Sequence, residues 1–200
     1  MPDMRNPGAN SEAGAFAARA VFSETYPLDE FYRERGEMMP VIGRVEPKEI
    51  PEPYKSLLVH DGDMTSRLKA FHGDDIYIQL LARHTHDNEY YREVVLTLNG
   101  EKKPVEFGAI KIILDLFPEE AQKEILKEHR PLGHILKAFD IAHSSKPKSF
   151  LAIASDAFIN SALNITGAHS LYGRRNTLVD PWDRPLAEIV EILPPAEEKI

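Results

Sequence analysis

The feature that most constrains the fold of this chain is the segment from Tyr90 to Leu114. Residues from Tyr90 to Leu98 read as a strand, and Val105 to Leu114 reads as a second strand returning along it. Between them stands Asn99-Gly100, the dipeptide of a primed two-residue turn. That pattern is a β-hairpin, so the chain carries a sheet that is at least partly antiparallel. Ile76, Ile78 and Leu80 alternate just upstream, which adds a strand. Ser170 to Val179 and Leu186 to Leu193 read as two more, joined by the Pro-rich turn from Asp180 to Pro185.

Helix signals lie on both sides of the hairpin. Before it, Asp63 can cap a helix that carries Met64, Leu68 and Phe71 on one face, with Gly73 at the left-handed stop. After it, Pro118 opens a helix with Glu119 and Glu120 in its first turn, running to near His129. A second reads from Gly133 to His143, and a third from about Ser155, as N-cap, to Leu163. Strands, then helices, then strands again suit an α+β class better than alternating α/β.

The 200 residues suit one domain, and no internal repeat or composition shift divides them. Residues 1–22 are rich in Gly, Ala, Asn and Ser and read as a mobile arm; 23–195 hold the domain; 196–200 are a loose tail. Five prolines between Pro27 and Pro53 suggest an extended wrapping segment whose one strand-like run is Val41 to Val45. The chain has no cysteine, which excludes a disulfide framework, an iron–sulfur site and a thiolate zinc site, and suits a reducing cytoplasm. No apolar run approaches the roughly 18 residues of a membrane helix, so membrane insertion is not expected. The net charge of -8 disfavours a nucleic-acid partner. It leaves room for an anionic small molecule, because distant carboxylates are screened.

Two strand residues stand out as chemistry. Side chains alternate across a strand, and Arg92 shares the more apolar face of its strand with Tyr90, Val94, Leu96 and Leu98. A guanidinium there calls for an anion, either a protein carboxylate or a ligand carboxylate. An arginine near a strand's start can also snorkel to water, and periodicity alone favours that. On the last strand, Glu191 shares a face with Ala187, Ile189 and Leu193, and Glu188 shares the other with Leu186, Val190 and Ile192. One of the two carboxylates must lie inside or at a rim, where a raised pKa would suit it to acid–base work. Arg174 and Arg175 take opposite faces of the preceding strand. His84 and His86 share a strand face, with His60, His72 and Asp61 as further candidate ligands, but the stretch from Arg83 to Glu89 reads as a solvated turn and no metal is expected. No Gly-rich phosphate loop with a lysine and no nucleophile-elbow sequence is present.

Several segments, in order, resemble the chorismate lyases. These are Leu57 to Thr65, read as "LL…D.MT"; Tyr91-Arg92-Glu93 followed by aliphatics; Asn99-Gly100; Pro131-Leu132-Gly133; Leu171 to Arg175, similar to "LWGRR"; and Pro185-Leu186 through Glu191 to Pro194. The likeness covers residues 57 to 195. It departs from the pattern at the extra acidic Asp63, at the second glutamate of the last strand, and in a longer, loosely matching region 101–170. What the resemblance implies is an antiparallel sheet with helical flaps over an internal cavity, and elimination of pyruvate from chorismate to give 4-hydroxybenzoate without metal or organic cofactor. By the same resemblance Arg92 would clamp the ring carboxylate, the backbone at Met64 and Leu132 would line the pocket, and Glu191 would face the ring hydroxyl.

A second function fits the same fold: a binding protein for an aromatic or cyclic carboxylate, without catalysis. Related domains serve as effector sensors in transcription regulators, and fold alone does not settle activity. The stretch before residue 57 reads as too short for a basic DNA-binding domain, which argues against a regulator but leaves a stand-alone ligand carrier open beside the expected enzyme acting on a small carboxylate.

Overall fold

The hairpin is present, and it sits inside a larger sheet. The computed structural model describes residues 23–98 and 103–196. Its strands are β1 (Ile42–Val45), β2 (Ile76–His86), β3 (Glu89–Leu98), β4 (Pro104–Ile113), β5 (Ser144–Ala154), β6 (Ser170–Val179) and β7 (Pro185–Leu193). They form one sheet in the order β1-β5-β6-β7-β4-β3-β2, with every neighbouring pair antiparallel. The helices are α1 (Leu28–Arg35), α2 (Tyr54–Leu58), α3 (Met64–His72), α4 (Glu119–Leu126), α5 (Leu132–Ala138) and α6 (Ala157–Leu163). The class is α+β. The expected arm at 1–22, the Asn99-Gly100 dipeptide and residues 197–200 lie outside the described residues. None of the described helices is long and apolar enough to cross a membrane.

Both faces of the sheet are covered, so β3 is buried along its whole length between its end residues. On one face α1 and α6 bring Leu28, Phe31, Ile159 and Leu163 onto Val95, Phe107, Val190 and Ile192 in a single apolar cluster. The other face carries two clusters. One joins α4 and α5 to Ile110, Ile112 and Leu178; the other joins α2 and α3 to Ile76, Leu96 and Leu193. Two helix pairs with separate cores leave a seam between them, and the cavity described below occupies it.

Several elements differ from expectation for identifiable reasons. The proline-rich stretch contains α1, whose first turn holds Asp29 and Glu30, whose last turn holds Arg33 and Arg35, and which stops at Gly36 with φ 69°. Charge order along the helix dipole and a left-handed stop outweigh the flanking prolines. β5 begins where a helix tail was expected to fade. Its Pro147 is tolerated because β1 pairs only with Phe150 to Ile153, leaving Pro147 beyond the partner's end and at a register shift. β2 continues through His84 and His86 to a tight turn at Asp87, φ 54°, so Arg83 to His86 is strand rather than loop. The cap of α6 is Asp156, accepting from the Ile159 amide at 2.8 Å, and not Ser155. The cap of α3 is Asp63, accepting from the Ser66 amide, and Gly73 closes it with φ 70°.

Candidate functional site

Arg92 stands on the cavity face of β3 and is 2% exposed. Its Nε and Nη1 are buried without any hydrogen-bond partner. Burial pulls its pKa below the ordinary value, with the negative charge of nearby Glu128 working against that pull. Glu128 is already engaged, accepting from the Tyr90 hydroxyl at 2.5 Å and pairing with Arg83. An arginine stays charged in proteins, so a cation is held here in an apolar wall with two donors to offer.

That wall belongs to a small cavity of about 60 Å³ that is partly open to solvent. Val94, Leu96, Ile110, Leu178 and Ile189 give it apolar sides. Met64 and Leu132, the first residues of α3 and α5, close it from above together with Thr65 and Gly133. Gly133 is needed at this seam: a Cβ there would stand 2.8 Å from Asp63 Oδ1 and 3.1 Å from Thr65 Oγ1, so only hydrogen lets the start of α5 approach the start of α3. The structure therefore brings Arg92, Met64, Leu132 and Glu191 to one cavity.

Glu191 reaches that cavity from β7, and its surroundings differ from those expected of a general acid. Its Oε2 accepts from Nε of Arg174, a wholly buried side chain on β6 placed directly opposite it. Nη1 of Arg174 also donates to the carbonyls of Leu58 (3.2 Å) and His60 (3.0 Å), and Nη2 to that of Gly62 (3.4 Å). One guanidinium thus neutralises Glu191 and ties the loop before α3 to the sheet. His60 completes the knot, with Nε2 2.7 Å from the Leu57 carbonyl and Nδ1 accepting from the Gly62 amide at 3.1 Å. Burial and the neighbouring Arg174 hold the imidazole pKa down to about 4, so the ring is neutral near pH 7.

The carboxyl whose pKa is pushed up is a different one. Glu106 on β4 lines the cavity and is 5% exposed, with Oε2 buried and unpartnered. Desolvation raises its pKa well above the usual carboxylate range, the charge of Glu191 adds to that, and Arg174 opposes it. The sequence held a signal for it: Glu106, Gly108, Ile110 and Ile112 share one strand face. The other members of that face are apolar or glycine, the same anomaly that singled out Arg92.

The remaining candidates lie elsewhere. Glu188 projects from the opposite face of β7, where its Oε2 accepts from the Thr177 hydroxyl at 2.8 Å and from Arg175 Nη2 at 3.2 Å. Arg174 and Arg175, on opposite faces of β6, are each paired with a glutamate of β7. His84 stacks on Tyr91 with ring centroids 4.3 Å apart and lies 3.1 Å from Glu34, while His86 is exposed beside Asp87. His60 is bound into the Arg174 loop, away from both.

No family model and no curated protein matches the chain. Solved structures do. The fold is similar to that of PhnF from Mycobacterium smegmatis, at 14% identity and TM-score 0.50, over 86% of this chain and 94% of that one. It is similar to the effector domain of PhnF from the same organism, at 17% identity and TM-score 0.50, over 66% of this chain and 88% of that one. A GntR-family transcriptional regulator from Bacillus cereus matches at 11% identity and TM-score 0.45, over 62% of this chain and 97% of that one. The likeness to PhnF and to its effector domain corrects the expectation of a chorismate lyase, and with it the lyase activity and the chorismate, pyruvate and biosynthetic roles attached to it. The site agrees with the correction: Glu191, the expected proton donor, is locked to Arg174. The exclusion of a nucleic-acid partner falls as well, because a net charge describes only this chain's own surface. What the structure and its neighbours establish together is an antiparallel α+β fold.

Proposed function

We propose that residues 23–195 form a ligand-binding module that captures a small aromatic or cyclic carboxylate in the cavity under α3 and α5 and releases it unchanged. The observation that carries this reading is Arg92: a buried guanidinium with two unpartnered donors, facing a cavity with apolar walls. Leaving such a cation unmatched costs several kcal/mol, and a carboxylate with a flat apolar body answers both the charge and the walls, because the guanidinium donates charge-assisted hydrogen bonds to carboxylate oxygens. Closure by the starts of two short helices allows entry without disturbing the sheet.

The likeness in fold to the PhnF effector domain supports a sensing role, in which occupancy of the cavity is reported to a transcriptional machinery. Nucleic acid is then a partner of the assembly, and the cytoplasm is the place of action. Calorimetric titration of the purified protein with a panel of ring carboxylates tests the reading. Micromolar to millimolar binding is expected, with a loss of at least about 100-fold in Arg92→Met, the scale for removing a charged hydrogen-bonding partner, and the ligand recovered intact by mass spectrometry. Binding that survives Arg92→Met, or a ligand recovered as two fragments, overturns it.

A further inference from the structure

The cavity holds two buried polar groups without partners, and they stand at opposite ends. Arg92 is paired with Ile110 across β3 and β4, and Glu106 with Leu96. Four residues along a strand separate them, about 13 Å between backbones at the usual rise. Glu106 has no cation of its own. The nearby guanidinium of Arg174 is occupied by Glu191 and by the carbonyls of Leu58, His60 and Gly62. Two carboxylates beside one committed cation disfavour each other's ionised form, and burial together with the charge of Glu191 pushes the Glu106 pKa well above the usual carboxylate range, toward the protonated form. A neutral carboxyl has an O–H to give, and its Oε2 meets no acceptor in the protein.

We infer that Glu106 is the second ligand-reading group of this cavity, donating its O–H to an oxygen acceptor at the far end of the anion held by Arg92. The ligand class follows: a carboxylate that carries a neutral carbonyl or similar oxygen opposite its charge. A second carboxylate is disfavoured by the neighbouring Glu191, and a ligand ammonium could pair with Glu106 only after Glu106 had released its proton to solvent. The inference rests on the Arg92 reading and adds a polarity to it.

The test uses an isosteric pair, 4-acetylbenzoate and 4-isopropylbenzoate, which differ in the acceptor and hardly in shape. The wild-type protein is expected to prefer the acetyl compound by about tenfold, the scale of one net hydrogen bond. Glu106→Leu should bring the ratio near one, Glu106→Gln should keep a preference through its amide N–H, and Arg92→Met should abolish binding of both. Equal affinities with intact Arg92 dependence sink the Glu106 inference and leave the carboxylate reading standing. Binding of neither by the wild type sinks the ring-carboxylate reading and the inference with it. Tighter binding of 4-(aminomethyl)benzoate with release of a proton would reassign Glu106 as a receptor for cations and overturn the proposal. A ligand-free check is the ¹³C signal of the Glu106 carboxyl: it should be protonated at pH 7, and an ionised signal there also overturns the inference.

Discussion

The two faces of the sheet treat buried charge in opposite ways. On the face under α1 and α6, the cation and carboxylate find each other: Glu93 is fully buried and accepts from Arg35 Nη1 at 2.6 Å, and Glu188 is shared by Thr177 and Arg175. On the cavity face, one pair is matched, Arg174 with Glu191, and two groups, Arg92 and Glu106, are left over. The first face shows how this chain satisfies charge when it builds structure. The leftovers on the second face are whole groups rather than single atoms such as Glu93 Oε1, and they are what the proposed ligand would answer.

That contrast can be broken by mutation, and the largest effect is expected at the matched pair. Arg174→Met leaves Glu191 buried without a cation and frees the carbonyls of Leu58, His60 and Gly62. A loss of about 3–5 kcal/mol, the range for breaking a buried pair, should appear in urea unfolding. Arg92→Met should do the reverse in the empty protein. Removing a desolvated charge that has no partner stabilises the fold by about 1–3 kcal/mol, even as binding is lost. A destabilised Arg92→Met protein would mean that Arg92 has a protein partner and would erase the asymmetry between the faces.

Glu106→Gln sharpens the comparison through its pH dependence. A carboxyl whose pKa is raised on folding contributes full stability below its unfolded value of 4.5, and that contribution declines as pH rises toward the folded value. The amide does not titrate. The variant should therefore match the wild type below pH 4.5 and exceed it in melting temperature at pH 7 and above. The smallest effect is expected on the other face: Glu188→Gln keeps an acceptor for Thr177 and loses one charged contact at a partly accessible arginine, so a loss of about 1 kcal/mol or less is expected by the same unfolding measurement.

Much of this was legible from strand alternation. The hairpin, the Asp63 cap, the Gly73 stop and the two final strands are local patterns, and local patterns survive into the fold. Arg92 was visible because a charge in an alternating apolar row breaks the row, and Glu106 breaks its row in the same way. The identity of Glu191's partner was not visible. Arg174 and Glu191 are 17 residues apart in sequence and meet only because β6 and β7 pair in one register, and a shift by one residue would have sent either side chain to the other face. β5 escaped notice because Pro147 argues against a strand unless its neighbour ends short of it. The reading as an enzyme went astray at the same point: a glutamate on an inward strand face looks like an acid–base group until its arginine is known.

Gly133 carries a consequence for the pace of ligand exchange. Where α5 meets α3, one side of the joint is a bare hydrogen, and the other is Asp63 and Thr65. No side chain of Gly133 interlocks there, so nothing must be withdrawn from a socket when the two helix starts part at that point. The contacts given up are a few dispersion pairs of roughly 0.1–0.2 kcal/mol each. The joint is a smooth parting line rather than a bolt, and under the proposed binding function the dwell time of a ligand would be set by Arg92 at the floor of the cavity rather than by the roof above it.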